Sequence, residues 1–468
     1  MDAVNKDVFM AQQIASLVEK EGGRVYYVGG FVRDRILNSR GKDVDVEVHG
    51  ITEEKLIEIM DSLGTRIEKG SSFGVFGLAH YDLDIAMPRT ERKTGRGHTD
   101  FHVTVEPFMG TYKAARRRDF TINAMMQDVL TGEIIDHFGG MADLAGSNKD
   151  APGVIRHVND STFTEDPLRV LRAAQFAARF EFNVAQETLE LCKSIDLSDL
   201  PRERIEGEMK KALLKASRPS VFFEVLREMN QLDVWFPELK QLIGLEQNPR
   251  FHREGDVWNH TMLSIDNAAA LRDKVQEPYP FMLSVLCHDL GKIVSTEFTK
   301  GARHAYDHEV KGMPVAHDFV MRITRENRVI KYVMSMVELH MEPNRMKPGR
   351  NNGGGIITEG AKVKSTNNMF DKAVNPLDLI YVAIADGLSA VGETPYVNPE
   401  EFLLERLAVY EEIMARPHVT GDDLIEAGLK PEENFREILA HAHKLRLAGI
   451  DKEEALKQTL GYAGKLRK

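Results

Sequence analysis

The stretch that most constrains this chain runs from Tyr26 to His49, YYVGGFVRDRILNSRGKDVDVEVH. It reads as strand, glycine turn, short helix, loop, strand. Arg24 to Val28 has strand composition, and Phe31 to Leu37 suits a helix with Arg33 and Asp34 at its start. Between them, Gly29-Gly30 lets the backbone approach a phosphate with no side chain in the way. In Asp43-Val44-Asp45-Val46-Glu47-Val48 the valines alternate with acids. Period two sends Val44, Val46 and Val48 to the core and Asp43, Asp45 and Glu47 to the opposite face. Alternating acids on a strand usually mark only a solvated face. The glycine turn and arginine just upstream favour a more specific reading. Two carboxylates two residues apart on a rigid strand can hold a hard cation with water and phosphate oxygens. A cation so held can activate a hydroxyl and stabilise a leaving pyrophosphate.

Downstream, Asp82 to Met87 pairs with Val75 to Leu78, and the alternation around Asp84 places it on the acidic face. Asp84 is open to a third metal-shell or base role and equally to a structural salt bridge. Arg89 to Pro107 is charged and β-poor in its first half and reads as a mobile loop. From Arg89 to Arg118 there are eight Lys/Arg (Arg89, Arg92, Lys93, Arg96, Lys113, Arg116, Arg117, Arg118) against three acids, Glu91, Asp100 and Glu106. In a chain of formal net charge −11 this is a local basic patch, suited to neutralising phosphate beside a metal. Thr121 to Gln127 has helical spacing, which puts Arg116 to Arg118 near a helix N-terminus, where anions are favoured. Glu133 to Phe138 reads as a short strand.

A helix opens at Thr164-Glu165-Asp166-Pro167-Leu168-Arg169-Val170-Leu171-Arg172, with proline well placed at its start. Asp166 can be a plain N-cap. Asp166 and Arg169 are also three apart and meet on one face, with Arg172 beside them. An Asp acceptor and an Arg donor fork can read a Watson–Crick edge. Further on, His260, His288-Asp289 (in CHDLGK) and Asp386 lie on separate predicted helices. Nitrogen and oxygen donors of this kind suit a transition metal as well as magnesium. His304, His308, His317 and His340 offer a second metal or a phosphate further ligands, although each alone is as ordinary as any polar histidine. Asn344 to Asn368, with Gly353-Gly354-Gly355, reads as a long loop.

These strings carry a resemblance. The Gly-Gly-x-Val-Arg-Asp turn followed by Asp43 and Asp45 resembles the DNA polymerase β superfamily. Arg117-Arg118-Asp119-Phe120-Thr121-Ile122-Asn123-Ala124, the head-to-neck turn Asp136 to Leu144, the Glu165-Asp166-x-x-Arg169-x-x-Arg172 string and Leu200 to Ile205 are similar to class II tRNA nucleotidyltransferases, the CCA-adding enzymes, and their poly(A) polymerase relatives. The H…HD…D set resembles the HD metal-dependent phosphohydrolases. The resemblance implies an α+β chain: a nucleotidyltransferase head with a small mixed sheet (1–138), an all-helical neck and body (139–250), an HD domain (251–395) and a helical tail (396–468). It implies that Asp43 and Asp45 hold Mg²⁺ and that Gly30, Arg33 and Arg118 cradle the triphosphate. Asp166, Arg169 and Arg172 would select the base, and His260, His288, Asp289 and Asp386 would hold Ni²⁺, Mn²⁺ or Mg²⁺.

The expected reaction is template-independent addition of CMP, CMP and AMP to a tRNA 3′ end from CTP and ATP, with a second, phosphohydrolase activity on 2′,3′-cyclic or terminal phosphates. Poly(A) polymerase, a CC- or A-adding enzyme, or a phosphohydrolase with an RNA-docking head are the alternatives. The Arg89 to Pro107 segment argues against a CC-only enzyme, the HD set against a poly(A) polymerase, and the intact Asp43/Asp45 pair against a dead head. Only Cys192 and Cys287 are present, which suits a reducing compartment. With no signal-peptide core and no apolar run of membrane length, the expectation is a cytoplasmic monomer or homodimer.

Overall fold

A computed structural model describes residues 3–39, 43–68, 74–93, 101–146, 152–299, 301–350, 356–357, 360–393, 395–431 and 434–466. The chain divides into two compact units, one of residues 1–212 with 221–235 and one of 213–220 with 236–468.

The first unit is built on a seven-stranded mixed sheet of order β3-β4-β5-β2-β1-β8-β9. Its strands are β1 (Arg24–Val28), β2 (Val44–His49), β3 (Arg66–Glu68), β4 (Val75–Leu78), β5 (Leu83–Ala86), β8 (Met126–Asp128) and β9 (Ile134–Ile135). β2 runs antiparallel to β1 and parallel to β5, in a register that sets Asp45 opposite Asp84. Val44, Val46 and Val48 are buried, as period two requires. Helix Ala3–Lys20 packs its Ile14 and Val18 on this sheet.

Three expectations need correction. Arg89 to Pro107 is not a plain loop: β6 (Arg89–Lys93) pairs antiparallel with β7 (Phe101–Val105) as a separate ribbon, and Thr90 donates to Glu106 across it. The strand-favouring Phe-His-Val-Thr-Val half dictates the ladder, and the charged half follows as its partner. Arg96 and Asp100 lie outside the described residues. The helix expected over Thr121 to Gln127 stops at Ala124, because Met126 to Asp128 is drawn into the sheet against β1, where tertiary pairing overrides local periodicity. Finally, Asn344 to Asn368 is not one loop. Helix Met341–Met346 covers its start and helix Val363–Lys372 its end, while residues 351–355 lie outside the described residues.

In the second unit, helix Val257–Leu271 packs on Pro376–Ser389 and Pro278–Cys287, and Asn327–Leu339 packs on Pro278–Cys287. Asp256 and Asn375 cap two of these helices, and prolines open two of them. The buried Asp378 carboxylate ties the bundle together by accepting from Tyr332 Oη and from the backbone of Gln276 and Glu277 (2.5, 2.8 and 3.0 Å). The last helices, Gly421–Glu426, Phe435–Leu447 and Lys452–Leu466, share their own apolar cluster around Leu424, Ile438 and Ala455. Among the described residues no helix is long and apolar enough to cross a membrane.

Candidate functional site

Around β1 and β2 the first unit gathers a carboxylate, an arginine and a bare backbone. Gly29 takes φ +64°, a conformation that side chains resist, and leads straight into helix Gly30–Ile36. A Cβ at Gly29 would stand 3.6 Å from Arg118 Nη1 and 4.0 Å from Asp45 Oδ2. The missing side chain therefore leaves room where the Arg118 guanidinium and the Asp45 carboxylate converge. Asp43 is exposed at the foot of β2, Asp45 is half-buried, and Asp84 is its neighbour across the sheet. Glu47 is buried and accepts from Arg118 (3.1 Å) while bonded to His49 (2.8 Å). Burial pushes the Glu47 carboxyl up, but the bond to His49 and the charge of Arg118 outweigh it and hold it low. Glu47 thus remains an anion that fixes Arg118.

Arg33 occupies a different place from the one the motif implies. It is 3% exposed, donates to Asp34 (2.7 Å) and Asn123 (2.6 Å), and lies over the rings of Phe176 and Phe180. Its guanidinium braces the glycine turn against the Thr121–Ala124 segment instead of pointing into the open side.

The helix Leu168–Phe180 is fastened to the same segment. Arg172 grips the buried Asp119 with Nε and Nη2 (2.8 and 2.6 Å). Arg169 donates to the carbonyls of Thr162 and Arg117. Asp166 accepts from Leu168 N (3.1 Å), so it does cap the helix, yet its other oxygen is held by Arg204 (2.9 Å). The structure thus brings Arg169 and Arg172 onto the Arg117–Asn123 string, while Asp166 faces Arg204.

The second unit contains the histidine–aspartate cluster. His260, His288, Asp289 and Asp386 meet in the core: His260 Nε2 lies 3.0 Å from Asp386 Oδ1 and 3.4 Å from His288 Nε2, and His288 Nε2 lies 3.3 Å from Asp289 Oδ2. His308 and His340 join on the other side of Asp289, with His308 Nε2 at 3.2 Å from both Asp289 Oδ1 and His340 Nε2. His304 instead stacks on Tyr306, and His317 sits half-exposed beside Asp318.

The ring nitrogens reveal why this cluster fits a cation. His288, His308 and His340 each point Nδ1 at a backbone carbonyl (Val285, Ala305 and Val337; 2.6, 3.0 and 2.7 Å), and His260 points Nδ1 at the Glu254 carboxylate (2.8 Å). A carbonyl or carboxylate only accepts, so each Nδ1 carries a proton and each Nε2 faces inward, where it donates to a neighbouring carboxylate when protonated and offers a lone pair to a cation when neutral. Imidazole nitrogens 3.2 to 3.4 Å apart beside two carboxylates form a group able to hold a metal ion. Burial lowers the His288 imidazole, but the Asp289 and Asp386 carboxylates overcome it and lift it to about 10. His340 falls to about 3 through burial and the neighbouring His308 and His288.

Comparison with known proteins follows this geometry. Residues 25–148 match the poly A polymerase head domain, and residues 181–243 match a probable RNA and SrmB-binding site of polymerase A. A multifunctional CCA protein of Actinobacillus pleuropneumoniae is 37% identical over 427 residues, covering 89% of this chain and 98% of the relative. That of Shewanella denitrificans is 38% identical over 434 residues, covering 89% and 96%. The chain belongs to the multifunctional CCA proteins. It is a nucleotidyltransferase. The fold agrees with solved structures of a Bacillus stearothermophilus CCA-adding enzyme in complex with CTP (TM-score 0.66, 20% identity, 98% of each chain covered) and a Thermotoga maritima CCA-adding enzyme complexed with tRNA (0.61, 19% identity, 97% and 95% covered).

In this multifunctional CCA protein, sequence reasoning passed over Asp119, Arg204 and Glu254 as individual groups. Asp119 lies inside the recognised string, four residues before Asn123, whose amide it accepts at 3.0 Å. Glu254 stands in His252-Arg253-Glu254 just before His260, a polar cluster whose meaning appears only once the helix folds over it. Burial raises the Asp119 carboxyl, but Arg172, with the bonds from Asn123 and from Arg172, brings it below the ordinary carboxylate range. A folded pKa below the unfolded one stabilises at neutral pH, and that contribution begins to fall at the unfolded value and is lost as pH drops through the folded one. Asp119→Asn is therefore expected to cost about 1–3 kcal/mol at neutral pH. In urea melts, the gap to wild type should narrow below pH ~4; a gap that stays constant through that range would refute the ionised pair.

Proposed function

We propose that this chain completes the 3′ end of tRNA by adding CMP, CMP and AMP from CTP and ATP without a nucleic-acid template, releasing pyrophosphate. The observation that carries the reading is the meeting of Asp45 and Arg118 at the bare Cα of Gly29. Asp43 and Asp45 would hold Mg²⁺, since anionic oxygens on adjacent outward positions of one strand suit a hard cation. When bound, that cation supplies positive charge to the attacking hydroxyl and to the leaving pyrophosphate.

The protein's own groups do the rest. Arg118, steadied by Glu47, meets the phosphates, and the Gly29-Gly30 backbone lets them come close. Arg33 acts one layer back, holding the turn that presents Gly30. Asp166 and Arg169 offer an acceptor and a donor fork to the base, and Arg172 sets their helix through Asp119. Base choice and phosphate binding then share one rigid connection. We place the boundaries of head, neck and body, HD domain and tail at 138, 250 and 395, and the reaction in the cytoplasm.

We further propose that the second unit is a phosphohydrolase acting on 2′,3′-cyclic or terminal phosphates of RNA ends. His260, His288, Asp289 and Asp386 would hold Ni²⁺, Mn²⁺ or Mg²⁺, with His308 and His340 on the far oxygen of Asp289. A metal bound there polarises a phosphoryl oxygen and lowers the pKa of bound water. Lys292 pairs with Asp289 (2.7 Å) and donates to Gln247 (2.7 Å), which keeps the carboxylate ionised and aimed.

Three outcomes are expected. Asp43→Asn or Asp45→Asn should lower nucleotide incorporation roughly 100-fold or more in Mg²⁺, while filter binding of tRNA persists; near-normal incorporation by either variant would sink the assignment, and sequencing the products on tRNA lacking CCA reads which bases are added. Asp166→Ala and Arg169→Ala should blur CTP-against-ATP discrimination by about 10-fold or more; unaltered discrimination in both would leave Asp166 a helix cap. His288→Ala with Asp289→Ala should abolish ring opening of 2′,3′-cyclic phosphate and phosphate release from terminal monoesters in Ni²⁺, Mn²⁺ and Mg²⁺ yet still add CCA. Failure of wild type to hydrolyse either ester with any of the three would remove the hydrolase reading alone.

A further inference from the structure

A cavity of about 1200 Å³ opens over the histidine–aspartate cluster, with Asp289, His308 and Asp386 in its lining. Four cationic side chains of Lys and Arg also line it. Three already have a carboxylate: Lys292 with Asp289 (2.7 Å), Arg303 with Glu246 (2.9 Å) and Arg345 with Glu309 (2.9 Å). Lys347 is different. Its ammonium makes no ion pair among the described residues; it donates to Val397 O (2.9 Å) and Asn344 Oδ1 (3.4 Å) and stands 4.2 Å over the Tyr396 ring. All of these partners are neutral; among the described residues the Asp386 carboxylate acts on its charge only through space, and no carboxylate stands at ion-pair distance.

Nor is Lys347 a loose surface lysine. Asn344 is anchored by its own amide to Ala383 O (2.7 Å), one turn before Asp386 on helix Pro376–Ser389, and it accepts from Tyr396 Oη (3.2 Å). The Tyr396 ring lies flat against Gly387, the residue after Asp386: a Cβ there would fall 2.1 Å from Tyr396 Cε2. Gly387 therefore has to lack a side chain for the ring to occupy this place. Asn344, Tyr396 and Gly387 together hold a half-buried cation at the edge of the cavity that Asp386 also lines. Desolvating an ammonium with no carboxylate at ion-pair distance is costly, and an anion arriving at the cavity edge offsets that cost.

We propose that Lys347, braced by Asn344 and Tyr396 on Gly387, is the anion-binding residue of this cavity and receives a non-bridging oxygen of a phosphate ester. The proposal rests on the hydrolase reading of the same cavity and names the group that seizes its substrate. Lys347 binds and orients; it is no ligand to a metal. A single point charge suits phosphate oxygens of either a terminal monoester or a cyclic diester. The alternative is that Lys347 serves only to pack on Tyr396 through a cation–π contact.

The test uses the full chain loaded with Mn²⁺. Calorimetry reads the Kd for inorganic phosphate and for Mn²⁺, and steady-state assays read KM and kcat on 2′,3′-cyclic AMP and on p-nitrophenyl phosphate. Lys347→Met should raise the phosphate Kd and both KM values roughly 10- to 100-fold, with a smaller change in kcat and an unchanged Mn²⁺ Kd. Lys347→Arg should recover part of the loss, and Gly387→Ala, which displaces Tyr396, should move KM in the same direction. Equal melting temperatures guard against misfolding as the cause. If wild type binds phosphate and Lys347→Met binds it equally well, the proposal is overturned while the hydrolase reading stands. If wild type hydrolyses neither substrate but binds the anion through Lys347, the hydrolase reading falls and the anion site stands. No phosphate binding by wild type overturns the proposal.

Discussion

The contact on which the first unit depends is the grip of Arg172 on Asp119. Asp119 is buried, and an unpaired carboxylate there would cost several kcal/mol. The pair is satisfied from several sides: Arg172 with two nitrogens, Asn123 through its amide and Phe120 through its backbone N–H. Through Asn123 the connection continues to Arg33 and so to the glycine turn. A helix that carries Asp166 and Arg169 is thereby locked to the segment that carries Arg118. Any shift of the helix must break a buried ion pair, so the groups proposed to read the base and those proposed to hold the phosphates move as one body. An enzyme that uses protein side chains in place of a template needs such rigidity, because a loosely held template would read every base alike.

The second unit solves a related problem with histidines. Its four inward Nε2 atoms are aligned by acceptors at Nδ1, three of them backbone carbonyls: Val285 and Val337 near helix C-termini and Ala305 at the end of strand Ala302–Ala305. Backbone carbonyls cannot rotate away, so the ring orientations are built into the backbone geometry. Glu254 does the same for His260 and also holds His252. Burial lowers His252, although Glu254 pulls the other way.

What was legible in the sequence and what was not divide along physical lines. Period-two valines placed β2 correctly because burial on one face enforces the period, and the parallel pairing with β5 put Asp84 beside Asp45 as the alternation had implied. His308 and His340 could be named only among four candidates, since their meeting at Asp289 depends on helix packing across 52 residues of chain that no spacing rule reaches. The resemblance implies a phosphate role for Arg33. Its burial depends on Phe176 and Phe180, which arrive from a helix far along the chain. The ribbon β6–β7 was misread because its first strand is charged, and a two-stranded ladder gains its register from a partner rather than from its own composition.

The two sites also treat cations differently, and this follows from their ligands. The strand site offers carboxylate oxygens, one exposed and one half-buried, next to an arginine. Hard oxygens in an open site suit magnesium, which keeps several waters and shares its shell with phosphates. The buried cluster offers imidazole nitrogens beside carboxylates, which favour later first-row metals. One chain can therefore draw on two metals at once without competition, provided that each site rejects the other's ion by donor type. On the proposed reading the same contrast separates their substrates. Arg118, tied to Glu47, would meet phosphate as one charge of a neutralised pair, whereas Lys347 has no carboxylate at ion-pair distance among the described residues. The first arrangement would let triphosphates load and leave during successive additions, and the second would hold its charge for a single anion entering the cavity.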